Sequence, residues 1–139
     1  MNHELVRHGV AARYSEAAVF QGVVYLAGMV PERGDSDITG QTQDVLDQVQ
    51  TRLQEAGSDK SRMLRAQIYL SDISDIAAMN AVWDAWVVPG TAPPRATVQA
   101  ALADPAWKIE IVVTAAQTPN LKFLANLPPS SRIFQSLSL

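Results

Sequence analysis

The chain is 139 residues long, 47% hydrophobic and 18% charged, with 11 Lys+Arg against 14 Asp+Glu and a formal net charge of -3. That size fits one globular domain, and scattered, outnumbered cations argue against a surface that binds nucleic acid by neutralising phosphates. The absence of cysteine excludes disulfides, thiolate metal sites and a cysteine nucleophile. No apolar run is long enough for a membrane span, and "MNHELVRHGV" does not read as a secretory signal, so a cytoplasmic location is expected.

In chain order, "AVFQGVVYLAGMVP" predicts a tight hairpin, Ala17–Phe20 and Val23–Ala27, turning on Gln21-Gly22. Gly28 and Pro31 close it, and the polar loop "ERGDSDITG" follows. Val45, Val49, Leu53 and Ala56 recur at helical spacing within Gln41–Ala56, with Gly57 at the left-handed cap position. In "MLRAQIYLSD", Leu64, Ala66, Ile68 and Leu70 alternate with polar or aromatic residues, which is strand period. "SDISDIAAMNAVWDAWV" predicts a second helix capped by Asp72 or Ser74. Its apolar stripe is Ile76, Met79, Val82, Trp83 and Trp86, and Pro89-Gly90 ends it.

Two strands complete the domain, Arg95–Ala100 and Lys108–Ala115. The order β-β-α-β-α-β-β implies an α+β fold, one mixed sheet with two helices on one face. The domain is expected over 1–117. The segment 118–139, with its prolines and lack of periodicity, reads as a tail that is irregular or derived from expression-vector read-through.

Joined as an antiparallel hairpin through "ALADPAW", the last two strands would place Arg95 opposite Glu110 and Thr97 opposite Lys108. That shared face would be the one away from the helices. Two readings are open. Arg95 and Glu110 form an ordinary cross-strand ion pair, which contributes a few tenths of a kcal/mol. Alternatively, Arg95 is a guanidinium fork for a small carboxylate, and Glu110 holds it or orients a water. Tyr14, Asn80 and Trp83 each have a packing or hydrogen-bonding role as the plain alternative to ligand contact. His3 and His8 lack companion metal ligands.

"APPRATVQAALADPAWKIEIVVTAA" resembles the C-terminal signature of the RidA (YjgF) family of imine and enamine deaminases, with a Pro-x-Arg strand followed by an "IE" strand. "RYSEAAVFQGVVYLAGMVP" is similar to the family's N-terminal block, and "DIAAMNAVWDAWV" to its second helix; the whole looks most like the YoaB-like branch. The resemblance covers about Tyr14 to Ala116. It implies a chorismate-mutase-like fold and a homotrimer whose sheets form a central barrel, with clefts between subunits. It implies hydrolysis of 2-imino or 2-enamino acids to 2-keto acids and ammonia, without metal or organic cofactor and with no nucleic-acid or membrane partner. On it, Arg95 anchors the substrate carboxylate and Glu110 orients water, while Tyr14, Asn80, Trp83 and Thr97 contact substrate. Departures occur at Ala12-Arg13-Tyr14, where many members have Gly-Pro-Tyr, and at Ala27-Gly28-Met29, where they have Ser-Gly-Gln. Arg13 would add a cation near the mouth and favour a more anionic substrate. The alternatives are a non-catalytic trimer that binds small carboxylates and, disfavoured by the acidic balance, a ribonuclease.

Overall fold

The computed structural model describes residues 4–119. Six strands form one sheet: β1 (Val6–Val10), β2 (Ser15–Phe20), β3 (Val23–Leu26), β4 (Met63–Leu70), β5 (Arg95–Gln99) and β6 (Ile109–Ala116). Helices α1 (Ile38–Glu55) and α2 (Ile76–Trp86) complete the layer architecture. The expected order is present, preceded by β1, which the sequence reading left out. Strand β1 pairs with β2 at the sheet edge and is almost entirely exposed, so it carries no apolar alternation to read. The tail, beyond residue 119, and His3 lie outside the described residues. Among the described residues no helix is long and apolar enough to cross a membrane.

Local signals account for most boundaries. Gln21 and Gly22 both take positive φ, 52° and 78°, the geometry of the two-residue turn that matches strand twist. Gly57, φ 81°, follows α1, and the next amide, of Ser58, bonds the Leu53 carbonyl at 2.8 Å. Helix α1 begins a turn earlier than its apolar periodicity suggests, because the Asp37 carboxylate accepts from Gly40 N at 2.9 Å. Asp72 caps a short 3-10 turn, Ile73–Asp75, that leads into α2. The β4 alternation fails at its start: Leu64 is exposed and Met63 buried, because the register against β6 shifts between Met63 and Arg65.

The sheet order is β1-β2-β3-β6-β4-β5. Strand β5 returns parallel to β4 after the α2 crossover, and β6 then pairs antiparallel on the other side of β4. The expected β5–β6 hairpin is therefore absent. The segment between them passes the end of β4, where Ala100 N bonds Leu70 O and Ser71 N bonds Lys108 O, each at 3.0 Å. Ile68, Leu70, Ile109, Ile111 and Val113 face Val45, Leu46, Val49, Leu53 and Met79 in a fully buried core. The other face leaves Phe20, Tyr25 and Val98 exposed.

Gln41 is the polar residue that joins these layers. It is fully buried. Its amide donates to Ala106 O at 2.9 Å and Ser36 O at 3.2 Å, and its oxygen accepts from Lys108 N at 2.7 Å. It thus fixes the loop that delivers β6. Replacing it by Leu would remove the partner of the Lys108 amide and of the Ala106 and Ser36 carbonyls, so Gln41→Leu should destabilise the protein by about 1–3 kcal/mol in urea unfolding. An unchanged unfolding midpoint would mean that the loop is held elsewhere.

Candidate functional site

The topology divides the expected site residues between two places. Arg95 lies level with Ala66, and Thr97 with Ile68. Laterally paired residues point to the same side of a sheet, and Ala66 and Ile68 are buried in the helix-covered core. Arg95, Thr97 and Gln99 therefore face the helices. Glu110 lies level with Tyr69, between buried Ile109 and Ile111, so it faces the opposite side. The shared Arg95–Glu110 face expected from the sequence is corrected on two counts. Strand β4 separates the strands, and the two side chains point to opposite sides. An alternation as mild as "RATVQA" does not reveal which set is buried.

The first half-site is built on β5 and α2. Arg95 Nη2 donates to Asn80 Oδ1 at 2.8 Å. Its guanidinium carbon lies 5.3 Å from the Trp83 ring centroid, within cation–π range. Trp83 in turn tilts against Trp86, with centroids 5.6 Å apart, and Lys60 caps the Trp86 ring at 5.2 Å. Trp83 is only 5% exposed, so it lies beneath Arg95 rather than on an open wall. Asn80 and Trp83, three residues apart on α2, orient the guanidinium from two directions. The Thr97 hydroxyl, on the same side as Arg95, is buried without a hydrogen-bond partner, an arrangement that costs free energy unless a ligand or water completes it.

The second half-site is a cavity of about 590 Å³ at the rim where β3 has ended. Glu110, Tyr14, Gly28 and Trp107 line it, with Gln48 and Arg52 entering from α1. The chain from Ala27 to Glu32 forms its remaining wall, and Met29 there makes a paired bridge to Ile111 through 2.8 Å and 3.0 Å hydrogen bonds. Gly28 touches Glu110 closely: a Cβ there would lie 2.7 Å from Oε2 and 3.0 Å from Cδ. The residue gives Glu110 its space by having no side chain. No short-range signal in the sequence marks that contact.

Arg52 is the cation of this cavity. It bonds Glu55 at 3.0 Å and lies 3.7 Å from Glu16. The Glu55 hydrogen bond, against partial burial and together with the fields of Glu55, Glu16 and Glu32, holds its pKa above the ordinary value. Arg13 is exposed and is not part of the lining. His8 stands half-buried in β1, and among the described residues no cluster of His, Cys, Asp and Glu could hold a metal ion.

Comparison with known proteins places these features in context. Residues 5–117 match the family model described as Endoribonuclease L-PSP. A RutC family protein from Haemophilus ducreyi is 46% identical over 112 residues, covering 81% of this chain and 96% of that protein. The RutC family protein YoaB of Escherichia coli is also 46% identical over 112 residues, with 81% and 97% covered. A crystal structure of a YjgF family member from Neisseria meningitidis superposes with a TM-score of 0.82 at 47% identity, covering 85% of this chain and 98% of that one.

Proposed function

Because the chain belongs to the YjgF family, whose model spans residues 5–117, we propose that it hydrolyses 2-imino and 2-enamino acids to 2-keto acids and ammonia. The observation that carries this reading is Arg95, half-buried and oriented by Asn80 at 2.8 Å and Trp83 at 5.3 Å. A guanidinium fixed in this way, with donors to spare, suits a carboxylate. The Thr97 hydroxyl offers a further donor.

Arg95 and Glu110 face opposite sides of the sheet, so a cleft containing both takes them from two copies. Strand β5 is a sheet edge, accessible to a neighbour, and exposed Phe20, Tyr25 and Val98 mark the helix-free face as a surface suited to burial. The assembly proposed is a homotrimer whose sheets pack together, with each cleft formed by Arg95 of one copy and Glu110 of the next.

In that cleft Arg95 holds the carboxylate and Glu110 accepts a hydrogen bond from a water. The water oxygen adds to the imine carbon while a proton passes to nitrogen. The hydroxyl proton of the resulting carbinolamine then passes to nitrogen as the carbon–nitrogen bond breaks, so that ammonia leaves and the carbonyl forms. No oxidant or external electron source enters this balance, and positioning supplies the rate gain.

Ala27 and Met29, in the cavity wall, offer no hydroxyl or amide, which favours a second reading: a trimer that binds small carboxylates without turnover. Ribonuclease action, named in the family description, fits less well. Glu16, Glu32 and Glu110 line the cavity and would repel a phosphate backbone.

The test generates 2-iminopropionate with an amino-acid oxidase and traps the surviving imine with semicarbazide. Wild type should accelerate imine loss, and Arg95→Ala should be about 10²-fold slower or worse. An Arg95→Ala protein with wild-type turnover would remove the anchor. An inactive, folded wild type that still binds 2-ketobutyrate in calorimetry would favour the binding reading.

A further inference from the structure

Resting on the deaminase reading, we propose that Trp86 and Lys60 are positioning residues for that reaction, holding the Trp83 ring in the orientation that presents the Arg95 guanidinium to a carboxylate. Among the described residues Arg95 makes a single hydrogen bond, to Asn80, and no ion pair. One bond leaves the guanidinium free to pivot, so the Trp83 ring supplies the second constraint. That ring serves only while its face stays turned to the cation. An aromatic ring is negative on its face and positive at its edge, so a Trp83 that rolled edge-on would repel Arg95 rather than seat it.

Two contacts oppose that roll. Trp86, one helical turn on and buried, packs against Trp83 with centroids 5.6 Å apart and ring planes tilted by 45°. Lys60 lies over Trp86 in turn: its ammonium is 5.2 Å from the ring centroid and pairs with no carboxylate among the described residues. The backbone beneath Lys60 is fixed. Its amide donates to Gln50 Oε1 of α1 at 3.1 Å, the Asp59 carboxylate accepts from Ser61 N at 2.7 Å, and Arg62 Nη2 donates to Gln117 O, just past β6, at 3.0 Å. The short turn Lys60–Arg62 therefore delivers the ammonium to a set place. An apolar side chain could cover Trp86 equally well, but only a cation favours the ring's face over its edge. The run Lys60, Trp86, Trp83, Arg95 thus fixes the anchor from beneath, while Asn80 holds it from the side.

A guanidinium already seated loses less freedom on gripping a ligand, so the run should raise affinity for a carboxylate. The test is calorimetry of 2-ketobutyrate with wild type, Trp86→Leu, Lys60→Met and Lys60→Arg. Trp86→Leu, which keeps the position apolar but removes the ring, should bind about tenfold more weakly. Lys60→Met should bind about threefold more weakly, and Lys60→Arg should restore the affinity, because a guanidinium also seats on a ring. A purely structural role would instead lower the number of competent sites, read as the binding stoichiometry, at unchanged affinity. Lys60 stands at the half-buried end of the run, so Lys60→Met decides the matter even where Trp86→Leu does not fold. Wild-type affinity in folded Lys60→Met, or no rescue by Lys60→Arg, would overturn the positioning role and leave the anchor standing. A wild type that fails to bind 2-ketobutyrate would overturn the anchor and this role together.

Discussion

Mixing Arg95→Ala and Glu110→Gln proteins, each inactive alone, should restore imine hydrolysis in about one cleft in four after random reassembly of a symmetric ring. The expectation comes from topology. Arg95 lies level with buried Ala66 and points to the helices, whereas Glu110 lies level with Tyr69 and points away from them. A cleft that uses both must borrow one from a neighbour. In a mixed ring, a copy with intact Arg95 can sit beside a copy with intact Glu110, and their shared cleft is complete. The measurement is imine turnover after the two proteins are mixed, partly unfolded and reassembled, against each protein treated alone. Recovery would demonstrate a composite cleft. No recovery from rings verified as mixed would mean that one copy supplies both residues, or that one of them has no part in the chemistry.

Gly28→Ala should lower imine turnover by about 10²-fold while barely changing thermal stability. The added Cβ would meet Glu110 Oε2 at 2.7 Å, Cδ at 3.0 Å and Cγ at 3.3 Å. All three atoms belong to a flexible side chain at the cavity rim, so the carboxylate swings aside and the backbone stays. Displacing a water-orienting carboxylate by a fraction of an ångström to an ångström costs rate rather than folding energy. A structural role for Gly28 would show the reverse, a lowered melting temperature with turnover kept. The assay therefore needs both readouts, with keto-acid binding as a third to show that the Arg95 half remains intact. A Gly28→Ala protein with wild-type turnover would sink the proposed role of Glu110.

Much of the fold was legible because it rests on local rules. Val45, Val49 and Leu53 at helical spacing, Gln21-Gly22 between apolar runs, and Gly57 after α1 each report interactions within a few residues. Strand β1 escaped because an exposed edge strand has no buried face to impose alternation. Leu64 was placed on the wrong side because a bulge reverses the alternation, and a bulge is created by the partner strand. Buried Gln41 gave no sign of its three hydrogen bonds, two of whose partners lie more than sixty residues away in the loop before β6.

The candidate site divides along the same line. The residue types at Arg95 and Glu110 and their motif surroundings were readable from the chain alone, and with them the family. So was the helical spacing that puts Asn80 and Trp83 on neighbouring positions of α2. Only the tertiary structure decided how these groups relate. Strand β4 pairs with β5 on one side and β6 on the other, so residues that look like hairpin partners become occupants of opposite faces. The physical reason is that strand alternation specifies two faces but not which is buried, and strand order depends on long-range pairing that no local pattern encodes. The α2 crossover that makes β5 parallel to β4, and the passage of the following loop past the end of β4, separate Arg95 from Glu110 and set their side chains on opposite faces of the sheet.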